Sequence, residues 1–470
     1  MSRNMDCQTP PNVAMKIRMA THDSDQPADS AHSVASAGLP PIIPPALPRR
    51  TSTGLQHRAV VITIACLAGI FCLLALLMVV AGFVFYQTHA PRPRPQSAST
   101  PTVVPTIQRA MPSEPGVTHR HEQVASEPWS IHVVKVDRTR QDLAFYAPLA
   151  TGTVLGVNLI SEQARDIPPG IGRALAGVNG DFYERDNATY AGDPRGLQIV
   201  NGELVSSTST AAVWFDAQGQ PHVGDVKGDF KITWPDRRQT PFALNQRRES
   251  DMVVLYTPTY GPSTRVSGGR DLILEKDGDG PWLPLQAGQT YRAKVRAVQA
   301  SADTPLSPNA LVLSLGSAQL ASVPEVAPGT VLEISTATTP EMKGVQTAIA
   351  GGPALIKNGV PFVATALPAG ATRAYSERSK YERHPRSAVG WNDTHLYLVT
   401  VDGRQPGLSV GMTLTELADY LVKLGCTDGM NFDGGASACM WMGGRVVNDP
   451  CQGERPVANT LFVIRKPDGR

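Results

Sequence analysis

"TLTELADYLVKLGCTDGMNFDGG", Thr413 to Gly435, holds a helix and the approach to a polar loop in one run. Thr413 suits an N-cap, and Glu416 three residues later closes a capping box. Leu414, Leu417, Leu421 and Leu424 fall on one helical face. Gly425 fits the left-handed position that ends a helix. The chain then enters a short apolar run that ends in Asn431, Asp433, Gly434 and Gly435. A helix feeding a strand, with polar residues at the strand's end, presents side chains at a site.

Most of the surrounding pattern is strand. "WSIHVVKVD" (Trp129–Asp137) opens the folded part, and "RALAGVNGDFY" (Arg173–Tyr183) runs into a tight Asn-Gly turn. "LQIVNGELVS" (Leu197–Ser206) reads as a hairpin with Asn201-Gly202 at its tip. In "YRAKVRAVQ", Tyr291, Ala293, Val295 and Ala297 alternate with Arg292, Lys294 and Arg296, the period of a strand with one wet face. "KDGDG" (Lys276–Gly280) lacks the remaining ligand positions of a calcium loop and reads as a turn. The expected class is α+β, a strand-rich mixed domain with few helices over residues 126–470, with a strand-rich middle at about 211–349.

The N-terminal quarter reads differently. Residues 1–58 are polar, contain "PPIIPPALPRR", and are expected to form a disordered tail. Ala59 to Tyr86 carry no charge, which predicts a transmembrane helix. Residues 87–125 are rich in Pro, Ser and Thr and read as a stalk. Arg49, Arg50 and Arg58 before the span, against Arg92 and Arg94 after it, favour a cytoplasmic N-terminus and an extracytoplasmic C-terminal domain. The expected location is a bacterial inner membrane, with the lipid bilayer as a partner.

The chain has 43 basic and 41 acidic residues, so it has no basic field for nucleic acid. Cys426, Cys439 and Cys451 are the cysteines of the outer domain. They allow one disulfide with one thiol left over, Cys439–Cys451 being the candidate pair in an oxidising compartment. No close C-x-x-C pair suggests a metal cluster.

Four glycine-punctuated polar segments stand out: Asn179 to Glu184, "GGPALIKNG" (Gly351–Gly359), "RHPRSAVGW" (Arg383–Trp391) and "NFDGGASACMW" (Asn431–Trp441). "GASAC" departs from a nucleophile elbow, because Cys439 replaces the last glycine and no helical pattern follows. Ser437 is therefore expected to hydrogen-bond to substrate or backbone. Asp433 reads either as a turn cap or as a reacting carboxylate beside two glycines that let a ligand approach. Arg386 offers a planar fork for two oxygens of a phosphate; the alternative is a surface charge.

These segments, together with "NLISEQARD", "AGVNGDFY", "GLQIVNGELV", "LYLVTVDGR" and "ANTLFVIRK", resemble the phosphodiester glycosidase family in order and content from about Ala125 to Lys466. That resemblance implies a hydrolase cutting the glycosidic C–O bond of a sugar-1-phosphodiester. On it, Asn179 and Asp181 match the family's Asn-Gly loop, and Arg386 and Ser387 match its Arg-Ser segment. Asp433, Gly434 and Gly435 match its Asp-Gly-Gly run, preceded by Asn431. The expected roles are Asp433 as one reacting carboxylate, Asp181 or Glu184 as the second, and Arg386 as phosphate ligand. Ala436, Ala438 and Cys439 depart from the family pattern. The expected partner is a glycan or sugar-phosphate of the envelope or an exopolysaccharide. No cofactor is required, although the acidic loops near Asp181 and Asp193 permit a divalent metal. The competing expectation is a membrane-tethered glycan-binding module without catalysis.

Overall fold

The computed structural model describes residues 114–206, 211–363 and 378–467. Four antiparallel-rich sheets and two short helices make up this part. The helices are α1 (Ile160–Arg165) and α2 (Leu414–Lys423).

The first sheet has seven strands, in the order Val117–Val124, Trp129–Asp137, His395–Val401, Arg386–Trp391, Asp428–Asn431, Ala354–Lys357, Val360–Pro361. Trp129–Asp137 is apolar on both faces because both are covered. Ile131 and Val133 join the cluster that includes Leu417 and Leu421 of α2. Val134 and Val136 face the opposite cluster, with Leu175, Val178, Leu461 and Val463 of the next sheet. This alternation follows from the two-residue period of a strand. Helix α2 carries the expected capping box: Glu416 N–H donates to Thr413 Oγ1 at 3.1 Å, and Thr413 N–H to a Glu416 carboxylate oxygen at 2.8 Å.

The second sheet has five strands, Arg445–Val446, Met440–Met442, Arg173–Asn179, Thr460–Arg465 and Leu143–Tyr146. A further five-stranded sheet holds the expected hairpin Gln198–Val200/Glu203–Leu204, turned at Asn201 and Gly202 with φ of 51° and 81°. The same sheet pairs Ala211–Phe215 with Thr347–Ala350. The chain between those two strands forms an eight-stranded sheet around its own core, including Trp234, Leu255, Leu272, Tyr291 and Leu313. That sheet is the strand-rich middle region, entered and left through one neighbouring strand pair.

Two expectations are corrected here. Val117–Val124 was assigned to the stalk, yet it is a strand in full register with Trp129–Asp137. It is mostly polar because it lies at the edge of the sheet, where only Val117 and, in part, Val124 pack into the apolar clusters on either face. The second correction concerns the membrane. Among the described residues no helix is long and apolar enough to cross a bilayer. Ten-residue α2 spans about 15 Å against a hydrocarbon core of about 30 Å, and its apolar stripe is covered by the first sheet. Residues 59–86, on which the span was expected, lie outside the described residues, as do the tail and the rest of the stalk. The transmembrane helix, single-pass topology, inner-membrane location and bilayer partner are therefore withdrawn.

Candidate functional site

The site lies where the first two sheets meet. Strand Arg173–Asn179 ends beside the end of Asp428–Asn431 and the start of Arg386–Trp391. Asp433 N–H donates to the carbonyl of Gly180 at 2.9 Å, and Phe432 N–H donates to that of Ser387 at 2.8 Å. These bonds bring three sequence-distant segments together.

Buried Asn179 is the knot of this junction. Its Nδ2 donates to the Asp433 carbonyl at 2.6 Å, while its Oδ1 accepts from Ser387 Oγ at 2.6 Å and Cys439 N–H at 3.1 Å. Asn179 and Ser387 are thus brought to the site, but their polar atoms hold backbone and each other. Gly180 cannot be larger: an added Cβ would sit 2.3 Å from Ile349 Cδ1 and 2.4 Å from Asn459 Oδ1.

Asp181 follows directly and is 2% exposed. Its Oδ2 accepts from Gly196 N–H at 2.8 Å, while Oδ1 is buried without a hydrogen-bond partner. Burial pushes its carboxyl up to about 7; backbone N–H groups of Gly196 and Phe182 oppose this, and the nearby Asp433 charge adds to it. Half-buried Asp433 is also raised by burial, against a hydrogen bond from Ser437 and the charges of Arg455 and Arg185. Asp193 is raised to about 7 by burial, with Glu184 and Asp181 adding to the shift.

Glu184 stands apart. Its exposed carboxylate accepts from Asp186 and Asn187 N–H at 2.8 and 3.1 Å, closing a local turn. Those bonds hold its pKa below the usual carboxylate range. Arg386 is 6% exposed, with Nε donating to the Met412 carbonyl at 2.9 Å and Nη2 to the Ser379 and Glu382 carbonyls at 2.6 and 3.0 Å. Its guanidinium ties loops together. Asn431 Nδ2 donates to the carbonyls of Gly352 and Phe432, and its buried Oδ1 has no partner. Gly434 must be small, since an added Cβ would meet the Pro385 carbonyl oxygen at 2.6 Å. Gly435 sits at φ 61° in the left-handed region.

The arginine that sequence reading passed over is Arg404, in "VDGRQ". It is exposed, with φ of 59°, and its Nη2 lies 3.2 Å from His384 Nδ1. The same guanidinium approaches within 3.0 Å of where a Gly435 Cβ would stand. Arg455 was also missed; its Nη2 donates to Tyr183 Oη at 3.2 Å, and its charge acts on Asp433.

The three thiols are free, so the Cys439–Cys451 disulfide is not formed. Cys439 is fully buried beside Trp441 and Phe462, where its side chain fills core space instead. Among the described residues no group of three or more His, Cys, Asp or Glu is arranged to hold a metal ion.

Residues 292–464 match the model of the phosphodiester glycosidase family. The structure superposes on a hypothetical protein from Synechocystis with a TM-score of 0.59 at 21% identity, over 74% of this chain and 62% of that one. It superposes on a protein from Burkholderia pseudomallei K96243, described as exported, with a TM-score of 0.55 at 25% identity over 72% and 74%. A stretch of 88 residues, 18% of this chain, is 36% identical to the SPbeta prophage-derived uncharacterized protein YomE of Bacillus subtilis, covering 13% of that protein. The chain thus spans less than two thirds of the Synechocystis protein and a small part of YomE. What is shared is the fold of the Synechocystis and Burkholderia proteins and, over residues 292–464, the sequence pattern of the phosphodiester glycosidase family.

Proposed function

We propose that the protein, with its phosphodiester glycosidase-like fold, hydrolyses the glycosidic C–O bond of a sugar-1-phosphodiester, with Asp433 and Asp181 as the reacting carboxylates. The observation that carries this reading is their junction: Asp433 N–H bonded to Gly180 O, with burial raising both carboxyls. Raised carboxylates at a polar junction are the groups that general acid–base chemistry needs.

The chemistry follows from the leaving group. Water adds through oxygen to the anomeric carbon, and the electron pair of the broken C–O bond stays on the phosphate oxygen. The water's proton passes to a carboxylate. A phosphomonoester departs as an anion, so charge stabilisation counts for more than proton donation. Asp433, held by Ser437, would steady the oxocarbenium-like centre. Asp181 would take the water's proton at Oδ1, the oxygen without a partner. The phosphate ligands are Arg404 and Arg455, which flank the Asp433 loop, in place of Arg386. No membrane anchor enters this reading.

Hydrolysis of a small sugar-1-phosphodiester in ¹⁸O-water tests the bond that is cut. The expected label is in the released sugar. Label in the released phosphate would mean P–O cleavage and would end this reading.

A further inference from the structure

A cavity of about 730 Å³ opens beside α1, at the far end of the strands that carry the carboxylate loops. Strand Arg173–Asn179 has Asn179 at the junction and Arg173 in this cavity's lining. Six strand steps separate the two, about 20 Å. The partner strand runs the same course, with Thr460 opposite Asn179 and Arg465 opposite Arg173.

The lining is one-sided in charge. Arg165, Arg173, Arg465 and Lys466 contribute to it, and no acidic residue does. Three carboxylates outside the lining pair with its arginines. Glu162 pairs with Arg165 at 2.8 Å, Glu114 with Arg173 at 2.9 Å and with Arg465 at 3.4 Å, and Asp142 also pairs with Arg465. Arg165 and Arg173 are exposed and surface pairs of this kind are weak, so a ligand anion can share these two arginines at little cost, while Arg465 is more enclosed. Among the described residues Lys466 makes no ion pair, although its amide donates to the Asp142 carbonyl at 2.9 Å. Two largely buried apolar residues, Ile167 and Trp441, also line it, showing only a small part of their surface; the Trp441 indole is fixed edge-on against Phe462. The Gly443-Gly444 turn, at φ of 57° and 92°, keeps the rim beside the indole free of side chains.

A cationic rim beside the accessible edge of an indole suits a sugar that bears an anionic group. We propose that this cavity binds an anionic glycan segment, with a sugar against Trp441 and a phosphate at the rim, and so grips a polymer whose other phosphodiester is cut at Asp433. Naming the ligand as part of the substrate rests on the proposed activity; the cavity itself does not.

Titration calorimetry of the full chain with phosphomannan, and with the same mannan after phosphate removal, tests this. Wild type is expected to bind phosphomannan at least tenfold more tightly than the stripped mannan. Lys466→Glu/Arg165→Gln is expected to lose at least tenfold of that affinity while cleaving a small sugar-1-phosphodiester at the wild-type rate. Lys466→Ala alone, which leaves every ion pair in place, is expected to lose a smaller part. Equal affinity for the two mannans, or wild-type phosphomannan affinity in both variants at unchanged melting temperature, would overturn the proposal. Failure of small-substrate cleavage by wild type would defeat the activity reading alone, since the titrations judge the cavity without turnover.

Discussion

The backbone N–H of Asp433 donates to the carbonyl of Gly180 at 2.9 Å, which sets Asp433 beside the residue that precedes Asp181. The Asn179 side chain seals this contact by donating to the Asp433 carbonyl at 2.6 Å and accepting from Ser387 and Cys439. Asn179→Ala would strand three buried groups at once. At about 1–3 kcal/mol for each unsatisfied group, a loss of at least about 3 kcal/mol is expected in urea unfolding, and activity should fall with it. Unchanged stability would show that the junction reseals without this side chain.

Asp181 makes stability depend on pH. Its carboxyl is raised from the ordinary 3.8 to about 7, so the folded state binds more protons than the unfolded chain between those values. Its stabilising contribution is complete below pH 3.8 and lost as pH rises through about 7. Asp181→Asn should therefore raise the melting temperature at pH 8, with the gain vanishing near pH 3.5, and should abolish turnover. A lower melting temperature at pH 8 would contradict the assignment.

His119 acts with the opposite sign. Burial, then His132, His121 and Arg445, push it down from 6.5 to about 4. It stays neutral in the fold, so its contribution is present above pH 6.5 and lost as pH falls towards 4. His119 Nε2 lies 3.2 Å from His132 Nδ1, and His132 faces Asp402, which is two residues before Arg404. His119→Gln should flatten the melting temperature between pH 6.5 and 4.

The two arginines should separate in kinetics. Arg404→Ala is expected to reduce kcat/KM by roughly 10- to 100-fold, the worth of a charge-assisted hydrogen bond, at unchanged melting temperature. Arg386→Ala should lower the melting temperature, because it releases the carbonyls of Ser379, Glu382 and Met412. The reverse pattern would restore Arg386 as the anion ligand.

Local signals were legible in the sequence. The Thr413–Glu416 capping box, the Asn201-Gly202 hairpin and the alternation from Tyr291 to Val295 appear as read, since each depends on a few neighbouring residues; a register shift after Val295 takes Ala297 off the buried face. Asp181 and Asp433 were legible as carboxylates beside glycines. What each side chain touches was not. Arg386 and Glu184 have the right chemistry, yet their polar groups are engaged by backbone from other loops or their own turn. Arg404 was invisible because its position over Gly435 arises only when two distant loops meet. The order of strands in the four sheets is equally non-local, and Val117–Val124 is polar enough to pass for linker.

The most direct test of the central claim is sugar release from a sugar-1-phosphodiester by the full chain and by its Asp433→Asn variant. The account predicts release by the wild type and a loss of about 100-fold or more in kcat for the variant, at a melting temperature no lower than the wild type's. Equal release by both proteins would remove Asp433 from the reaction and, with it, the site built on the Gly180–Asp433 junction.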